Sequence, residues 1–357
     1  MNKTYDLIVV GGGAAGLFCA GVAGQLGKKV LVIDHAEVLG EKIRISGGGR
    51  CNFTNMESSP SHFLSMNPHF VKSALSKYSP NDFIDLVRSH GIAFHEKHRG
   101  QLFCTESAKQ IVEMLHSECA KGGVQIKNPL KVLAVSKQGD QWLVATESGE
   151  YLTKNLVMAT GGLPVPAIGA SDFSLNIAKQ FDLNIVPIRP ALVPLSFTSG
   201  IFSSMDDLAG LSLPVKIAAG QKKQRYGRGS FDEDLLITHK GLSGPAVLQA
   251  SSFWQEGEPL EVEWINEGQW QALSEAPESR TKPAEVLLAQ LMPTKLAKEF
   301  VSQVNLTGRK WAEISNKDKQ QLIDLLCHWA VKPAGTLGWN KAEVMLGGVD
   351  TQALDGK

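Results

Sequence analysis

The chain has 357 residues, of which 43% are hydrophobic, enough for two domains or for one domain carrying a large insertion. Its 36 basic and 36 acidic residues cancel and the cations form no long run, so a small-molecule substrate is expected and a nucleic-acid partner is not. No apolar stretch reaches the roughly 18 residues of a membrane span, and the apolar residues 7–10 run into glycines without a cleavage region; a cytoplasmic protein with no membrane partner is expected. Cys19, Cys51, Cys104, Cys119 and Cys327 are scattered without a C-x-x-C, which argues against a disulfide framework, a metal site and a dithiol redox centre. Nothing in the composition speaks to oligomeric state.

The first element is a buried strand, Tyr5-Asp6-Leu7-Ile8-Val9-Val10, followed by Gly11-Gly12-Gly13-Ala14-Ala15-Gly16 and a helix. This is a G-x-G-x-x-G turn. Gly11 permits the tight turn, Gly13 lets a pyrophosphate approach the backbone, and Gly16 lets the helix pack close to the strand. The N–H groups at the helix start, around Ala14 and Ala15, face the phosphates with the positive end of the helix dipole behind them. A second strand, Lys29-Val30-Leu31-Val32-Ile33, ends at Asp34, 18 positions past Gly16, where a carboxylate accepts from a ribose hydroxyl. Strand, turn, helix, strand and acid in that order imply a bound dinucleotide.

Residues 40–55 follow as a glycine-rich loop with cations. Ser79-Pro80-Asn81-Asp82 starts a helix, with Ser79 as the cap and Gly91 as the stop. Ser107-Ala108-Lys109-Gln110 reads as a capping box ahead of a helix whose apolar face carries Ala108, Ile111, Val112, Leu115 and Cys119. The period then changes to short β-type runs at 124–126, 131–135, 142–146 and 156–159, a meander ending in Ala159-Thr160-Gly161-Gly162. From Pro187 prolines break the chain. Strands are expected at 193–197, 215–218, 235–238 and 260–265, then a helical stretch from Pro283 to about Val331, with starts at Thr294 and near Asp318. This gives three segments: 1–187, a Rossmann-like FAD-binding domain; 188–340, an inserted domain, part β and part helical bundle; and 341–357, the start of a return to the first.

A simple nicotinamide dehydrogenase would continue with βα units after Asp34. Here a meander delivers Ala159, Thr160 and Gly161 to the sheet, as in flavoproteins of the two-dinucleotide-binding class, where small residues let the backbone pass a large planar ligand. The segment Gly40-Glu41-Lys42-Ile43-Arg44-Ile45-Ser46-Gly47-Gly48-Gly49-Arg50-Cys51-Asn52-Phe53-Thr54-Asn55 closely resembles the signature of a bacterial flavoprotein family that includes aminoacetone oxidase and a bile-acid Δ4,6-reductase. Thr238-His239-Lys240-Gly241-Leu242-Ser243-Gly244-Pro245-Ala246 is similar to that family's second signature, and Gly100-Gln101-Leu102-Phe103-Cys104 and Pro190-Ala191-Leu192-Val193-Pro194-Leu195 to further family segments. The resemblance implies an FAD domain interrupted by a β-plus-helical insert, with both oxidations and reductions known in the family. One departure is expected to matter. Family members continue beyond the Gly347-Gly348-Val349 segment into a strand and a glycine-rich turn that complete the flavin pocket, whereas this chain stops at Lys357, as a truncated form would.

The cofactor set drawn from fingerprint and resemblance is Gly11, Gly13, Ala14, Ala15, Gly16, Asp34, Lys42, Ser46, Gly47, Gly48, Gly49, Arg50, Asn52, Thr54, Ala159, Thr160 and Gly161, with no metal ligand. Gly47 to Gly49 offer backbone donors to an anion, and Lys42 and Arg50 neutralise phosphate or reduced-ring charge. Ser46, Asn52 and Thr54 are hydrogen-bond partners, and Cys51 is a small packed residue. No catalytic residue is identified: His95 and His98 sit amid charges, and His239 is a weak candidate for proton transfer beside a turn that Ser243 can cap. The function expected is an FAD-dependent oxidoreductase moving a hydride between flavin N5 and a small organic substrate or NAD(P)H. A nicotinamide-only dehydrogenase and a cofactor-poor, non-catalytic binding protein are the rivals.

Overall fold

A computed structural model describes residues 3–198, 200–202 and 204–356; Lys357, where the truncation was placed, lies outside them. The chain divides into two compact units, one of residues Met1–Pro187 with Gly347–Lys357, the other of Ile188–Leu346.

The first unit opens β1 (Lys3–Val10), α1 (Ala14–Gln25), β2 (Val30–Ile33), α2 (Glu41–Ile45) and β3 (Asn52–Asn55). It continues α3 (Phe70–Lys77), α4 (Pro80–Ser89), β4 (Phe94–Glu96), β5 (Gln101–Cys104) and α5 (Lys109–Lys121). Last come β6 (Gln125–Lys127), β7 (Val132–Gln138), β8 (Gln141–Thr146), β9 (Gly149–Met158) and α6 (Phe173–Gln180). Six strands form one sheet in the order β6-β2-β1-β9-β8-β7, and β3-β5-β4 form a small antiparallel sheet. β6, β2, β1 and β9 run parallel, while β7, β8 and the first half of β9 are the antiparallel meander. The two-residue period of β1 divides its side chains between two cores. Leu7 and Val9 pack with Val30, Val32 and Leu17 against Met114 and Leu115; Ile8 and Val10 pack with Leu31, Ile33, Val144 and Ile177 on the other face. Being buried on both faces is why β1 and β2 read as unbroken apolar runs.

α4 starts as the sequence implies: Ser79 Oγ accepts from Asp82 N–H, and the Asp82 carboxylate accepts from Ser79 N–H at 2.6 Å. α5 differs by one residue. Ala108 is its N-cap, and Ser107 Oγ accepts from Lys109 N–H, two residues on, at 3.2 Å, so the local turn replaces a capping box.

The second unit contains β10 (Ile185–Ala191, which begins in the first unit), β11 (Leu195–Ser196), α7 (Met205–Leu208), β12 (Ser212–Gly220), β13 (Arg228–Thr238), β14 (Gly241–Ser243) and α8 (Gly244–Ser251). β15 (Leu260–Glu263), α9 (Glu267–Glu275), α10 (Ala284–Leu288), α11 (Thr294–Gln303), α12 (Asn316–Cys327), β16 (Trp329–Val331), β17 (Gly335–Thr336) and β18 (Val344–Val349, which ends in the first unit) complete it. Seven strands pair in the order β16-β15-β12-β13-β14-β11-β17. The helical stretch ends before Val331, because Trp329–Val331 pairs with Leu260–Val262. Phe202, Trp264, Phe300 and Trp329 pack ring on ring, with centroids 5.2–6.0 Å apart. Trp254, Trp270 and Trp311 are also buried. Ser243 stands at the N-cap of α8, but its hydroxyl makes no capping bond.

Candidate functional site

Strands β2, β1 and β9 end level with one another, since Val10 pairs with both Ile33 and Met158. The segments leaving them therefore meet at the carboxyl edge of the sheet, where open α/β folds bind ligands. Gly11 N–H donates to Ile33 O (2.8 Å) and Ala159 N–H to Val10 O (2.8 Å). Gly11 has φ +110°, and a Cβ there would lie 2.4 Å from Ala159 O. A Cβ on Gly16 would overlap Gly11 O at 1.8 Å. These two glycines serve the packing of strand, helix and Ala159 segment. Gly13 is different: its φ of −84° suits any residue, and nothing lies within 4 Å of where a Cβ would stand. Its missing side chain leaves open space for a ligand. The Ala14 and Ala15 amides precede the first intrahelical bond, from Leu17 N–H to Gly13 O, and both residues are exposed to the cavity.

The cavity measures about 1130 Å³, at the upper end of or beyond the roughly 300–1,000 Å³ of drug-sized sites. All of its walls belong to the first unit. Gly11, Gly13, Ala14, Ala15, Asp34, Lys42, Ser46, Asn52, Thr54, Ala159, Thr160 and Gly161 line it. Gly16, Gly47, Gly48, Gly49 and Arg50 do not. The three glycines form a left-handed turn (φ +56°, +66°, +82°), after which Gly49 O accepts from Ala108 N–H and Arg50 O from Cys104 N–H. Arg50 is exposed.

Asp34 is mostly covered. One carboxylate oxygen accepts from Gly12 N–H at 2.5 Å and the other from Ala36 N–H at 2.7 Å, which fixes the carboxylate at the cavity edge with lone pairs to spare. Ser46 Oγ donates to Ile43 O at 2.8 Å and is also in hydrogen-bond contact with the Cys51 thiol. Thr160 Oγ1 is buried and has no hydrogen-bond partner. An orphaned buried hydroxyl on the wall, an open Gly13 and a fixed carboxylate fit a dinucleotide. Cys51 also lines the cavity; burial pushes its thiol up, against a smaller lowering by Ser46, and burial pushes the adjacent Cys104 up to about 11. Both stay protonated and unreactive at neutral pH.

Sequence reasoning missed the apolar wall: Phe18 from α1, Phe53 from β3, Leu75 from α3, and Tyr78 and Phe83 around α4. Phe18 meets Tyr78 edge-on at 5.0 Å and Phe53 meets Phe83 at 6.1 Å. The α4 cap and apolar face were legible; that this face closes a cavity depends on pairing across some 60 residues, which no local pattern carries. His95 is exposed and stacks on Phe103, and His98 is half-buried. His239 lies in the second unit, exposed, with Nδ1 2.8 Å from an equally exposed Asp206 carboxylate. The cavity has no histidine wall beyond His35, whose Nδ1 is 3.6 Å from Asp34.

Residues 5–357 match the HI0933-like protein Rossmann domain. The chain belongs to that family. It is similar to a ribosomal RNA dihydrouridine synthase of Haemophilus influenzae, 43% identical over all of this chain and 89% of that protein. The Escherichia coli protein of the same name is 43% identical over 99% of this chain and 88% of its own length. A 3-dehydro-bile acid delta(4,6)-reductase of Clostridium scindens is 26% identical over 70% of this chain and 60% of that protein. Membership makes the fold a Rossmann-like α/β one and places the chain among flavoprotein oxidoreductases. The exclusion of a nucleic-acid partner does not stand, because two relatives aligned over essentially the whole chain are named for ribosomal RNA. The physical error was to read net charge, a sum over the molecule, as if it were local; phosphates feel charges within a Debye length of about 8–10 Å. Among the described residues, no helix is long and apolar enough to cross a membrane.

Proposed function

We propose that this chain is an FAD-dependent reductase that saturates the C5=C6 bond of a uracil base in ribosomal RNA. The observation that carries the reading is 43% identity, over 99–100% of this chain and 88–89% of theirs, to relatives named for that modification. The bile-acid relative supports the reaction class, since its name too describes reduction of carbon–carbon double bonds. When bound and reduced, FAD would supply the hydride for such a reduction; a reduced nicotinamide is the proposed electron source, and the second hydrogen would come as a proton from solvent.

The chain's own residues then have separable tasks. The amides of Gly13 to Ala15 and the α1 dipole hold the pyrophosphate. Asp34, fixed by two backbone donors, accepts from ribose hydroxyls. Thr160 gains the partner that its buried hydroxyl lacks. Lys42, exposed at the wall, neutralises negative charge, while Ser46, Asn52 and Thr54 offer hydrogen bonds. Phe18, Phe53 and Phe83 give the cavity an apolar wall that limits water, with Tyr78 at its exposed edge.

The test is to identify the cofactor released from purified protein by mass, then to incubate the reduced enzyme with deproteinised ribosomal RNA and search nucleoside digests for uridine carrying two added hydrogens. Protein without flavin absorption, or flavoprotein that leaves every uridine unchanged, sinks the reading. The first outcome would also favour a nicotinamide-only enzyme or a binding protein.

A further inference from the structure

The second unit carries a hairpin that the cofactor cavity does not use. β12 and β13 pair without a break from Ser212↔Leu236 to Gly220↔Arg228. Gln221-Lys222-Lys223-Gln224-Arg225-Tyr226-Gly227 closes the turn. The tip is ordered by its own bonds: Gln224 N–H donates to Gln221 O (2.9 Å), Gly227 N–H to Gln224 O (3.1 Å), and Gln221 N–H to Gln224 Oε1 (2.9 Å). Neighbouring carboxylates are already engaged. Arg228 grips Glu261 through both terminal nitrogens, at 2.9 and 2.6 Å, and Glu258 accepts from the side-chain amides of Gln221 and Gln224.

Lys222, Lys223 and Arg225 are exposed, and among the described residues none of them has an ion-pair partner. The Arg225 guanidinium lies 5.7 Å from the centre of the Tyr226 ring. Asp232 and Asp234 stand further along β13; four residues of strand put even Asp232 about 13 Å from Arg228. That is beyond the Debye length of about 8 Å at physiological salt, so these acids do little to cancel the tip. Glu258 keeps its negative charge beside the tip, because its donors are neutral amides, so three cations within four residues leave a net positive tip of about two charges; on a backbone that is already fixed, that suits a row of phosphates better than a single carboxylate. The cations attract the polyanion and lose little entropy on contact. An aromatic ring beside an arginine adds a stacking surface for an unpaired base.

We propose that this hairpin tip grips the sugar–phosphate backbone of the RNA substrate, with Lys222, Lys223 and Arg225 on phosphates and Tyr226 against a base. The proposal rests on the reading of the chain as an RNA-modifying enzyme and adds where that RNA is held.

The test compares the full chain with Lys222→Gln/Lys223→Gln/Arg225→Gln on deproteinised ribosomal RNA, by filter binding across a salt series. The triple variant should bind at least about tenfold more weakly at low salt, and the slope of log affinity against log salt should become shallower by about 2, three contacts at roughly 0.7 each. Flavin content and thermal midpoint should not move, and uridine reduction should lose in KM rather than kcat. The charge-keeping variant Lys222→Arg/Lys223→Arg/Arg225→Lys should retain binding. Equal affinity and slope in wild type and triple variant, with wild type still reducing uridine, overturn the hairpin assignment and leave the enzyme reading intact. A wild-type chain that neither binds nor reduces RNA overturns both. A charge-keeping variant that binds as poorly as the glutamine variant also rejects the phosphate grip.

Discussion

Replacing Gly13 by valine separates cofactor binding from folding more cleanly than any other change at the fingerprint. The backbone there, φ −84° and ψ −169°, is extended and open to all residues, and the Cβ position has no neighbour within 4 Å. Loss of glycine at this N-cap weakens the helix start by about 0.5–1 kcal/mol, and the stiffer unfolded chain returns about 0.4–1 kcal/mol. Net stability should therefore change by less than about 1 kcal/mol, or a shift of roughly 2–4 °C in Tm. The ligand side is different. A branched side chain in the open space keeps the pyrophosphate from the Ala14 and Ala15 amides, and each charge-assisted bond is worth about 1.5–3 kcal/mol. Losing two corresponds to a Kd raised by a factor of about 10² to 10⁴. Calorimetric titration of apo-protein with FAD, beside a thermal melt, measures both. FAD binding within threefold of wild type would refute the pyrophosphate assignment. A collapsed melt would show that Gly13 serves the fold instead. Gly11→Ala is the control, because a Cβ 2.4 Å from Ala159 O must displace backbone and lower Tm.

Asp34→Asn should weaken FAD by about 1.5–3 kcal/mol, with Asp34→Ala at least as harmful, because the charged acceptor and the bonds to Gly12 and Ala36 go together; unchanged titration isotherms would place the carboxylate outside the ribose site. Thr160→Val should leave Tm the same or raise it by up to the equivalent of about 1 kcal/mol, since the hydroxyl removed has no protein partner, and should weaken FAD about fivefold; equal FAD affinity would deny it a ligand contact. Burial raises the Glu118 carboxyl, but hydrogen bonds from Lys121, Gln25 and His90 outweigh that and hold it at about 2. A depressed carboxyl stabilises the fold above its unfolded pKa and loses that contribution as pH falls toward 2, so wild type should lose about 1 kcal/mol more than Glu118→Gln between pH 5 and pH 2, allowing for screening. Parallel acid melts would show the network to be inert.

What the sequence made legible was local. The β1–α1–β2 unit and Asp34 follow from spacing along about 30 residues; Gly11 and Gly16 meet backbone where a Cβ would stand, and Gly13 faces open space. Ser79 and Asp82 cap α4 for the same reason. Non-local features were not legible. Trp329–Val331 continues the apolar pattern of α12, yet becomes a strand because Leu260–Val262 presents an edge to it. Residues 40–55 read as one loop, but Phe103 lies 2.8 Å from where a Cβ on Gly47 would be, and the pairing of β3 with β5 splits the segment into a helix, a left-handed turn and a strand. That split sends Ser46, Asn52 and Thr54 to the cavity and leaves Gly47 to Arg50 outside its lining.

Cofactor and RNA are held, on these proposals, by different kinds of charge, and salt tells them apart. The pyrophosphate site consists mainly of backbone amides and a helix dipole, partial charges fixed in a cavity whose walls are largely apolar. Exposed cations meet the cavity only at Lys42 and Lys131 among its lining residues. The hairpin offers three exposed point charges, each exchanging counterions for phosphate contacts. Between 50 and 200 mM salt, the hairpin's share of RNA affinity should fall about 20-fold, at a slope near −2. FAD affinity over the same range should fall by no more than about two- to fourfold, the screening of two exposed cations, Lys42 and Lys131. Both are read by titration on the same preparation. A parallel fall in FAD affinity would mean that lysine charges, not the α1 amides, hold the phosphates, and the assignment of Gly13 to Ala15 would have to be abandoned in favour of Lys42 and Lys131.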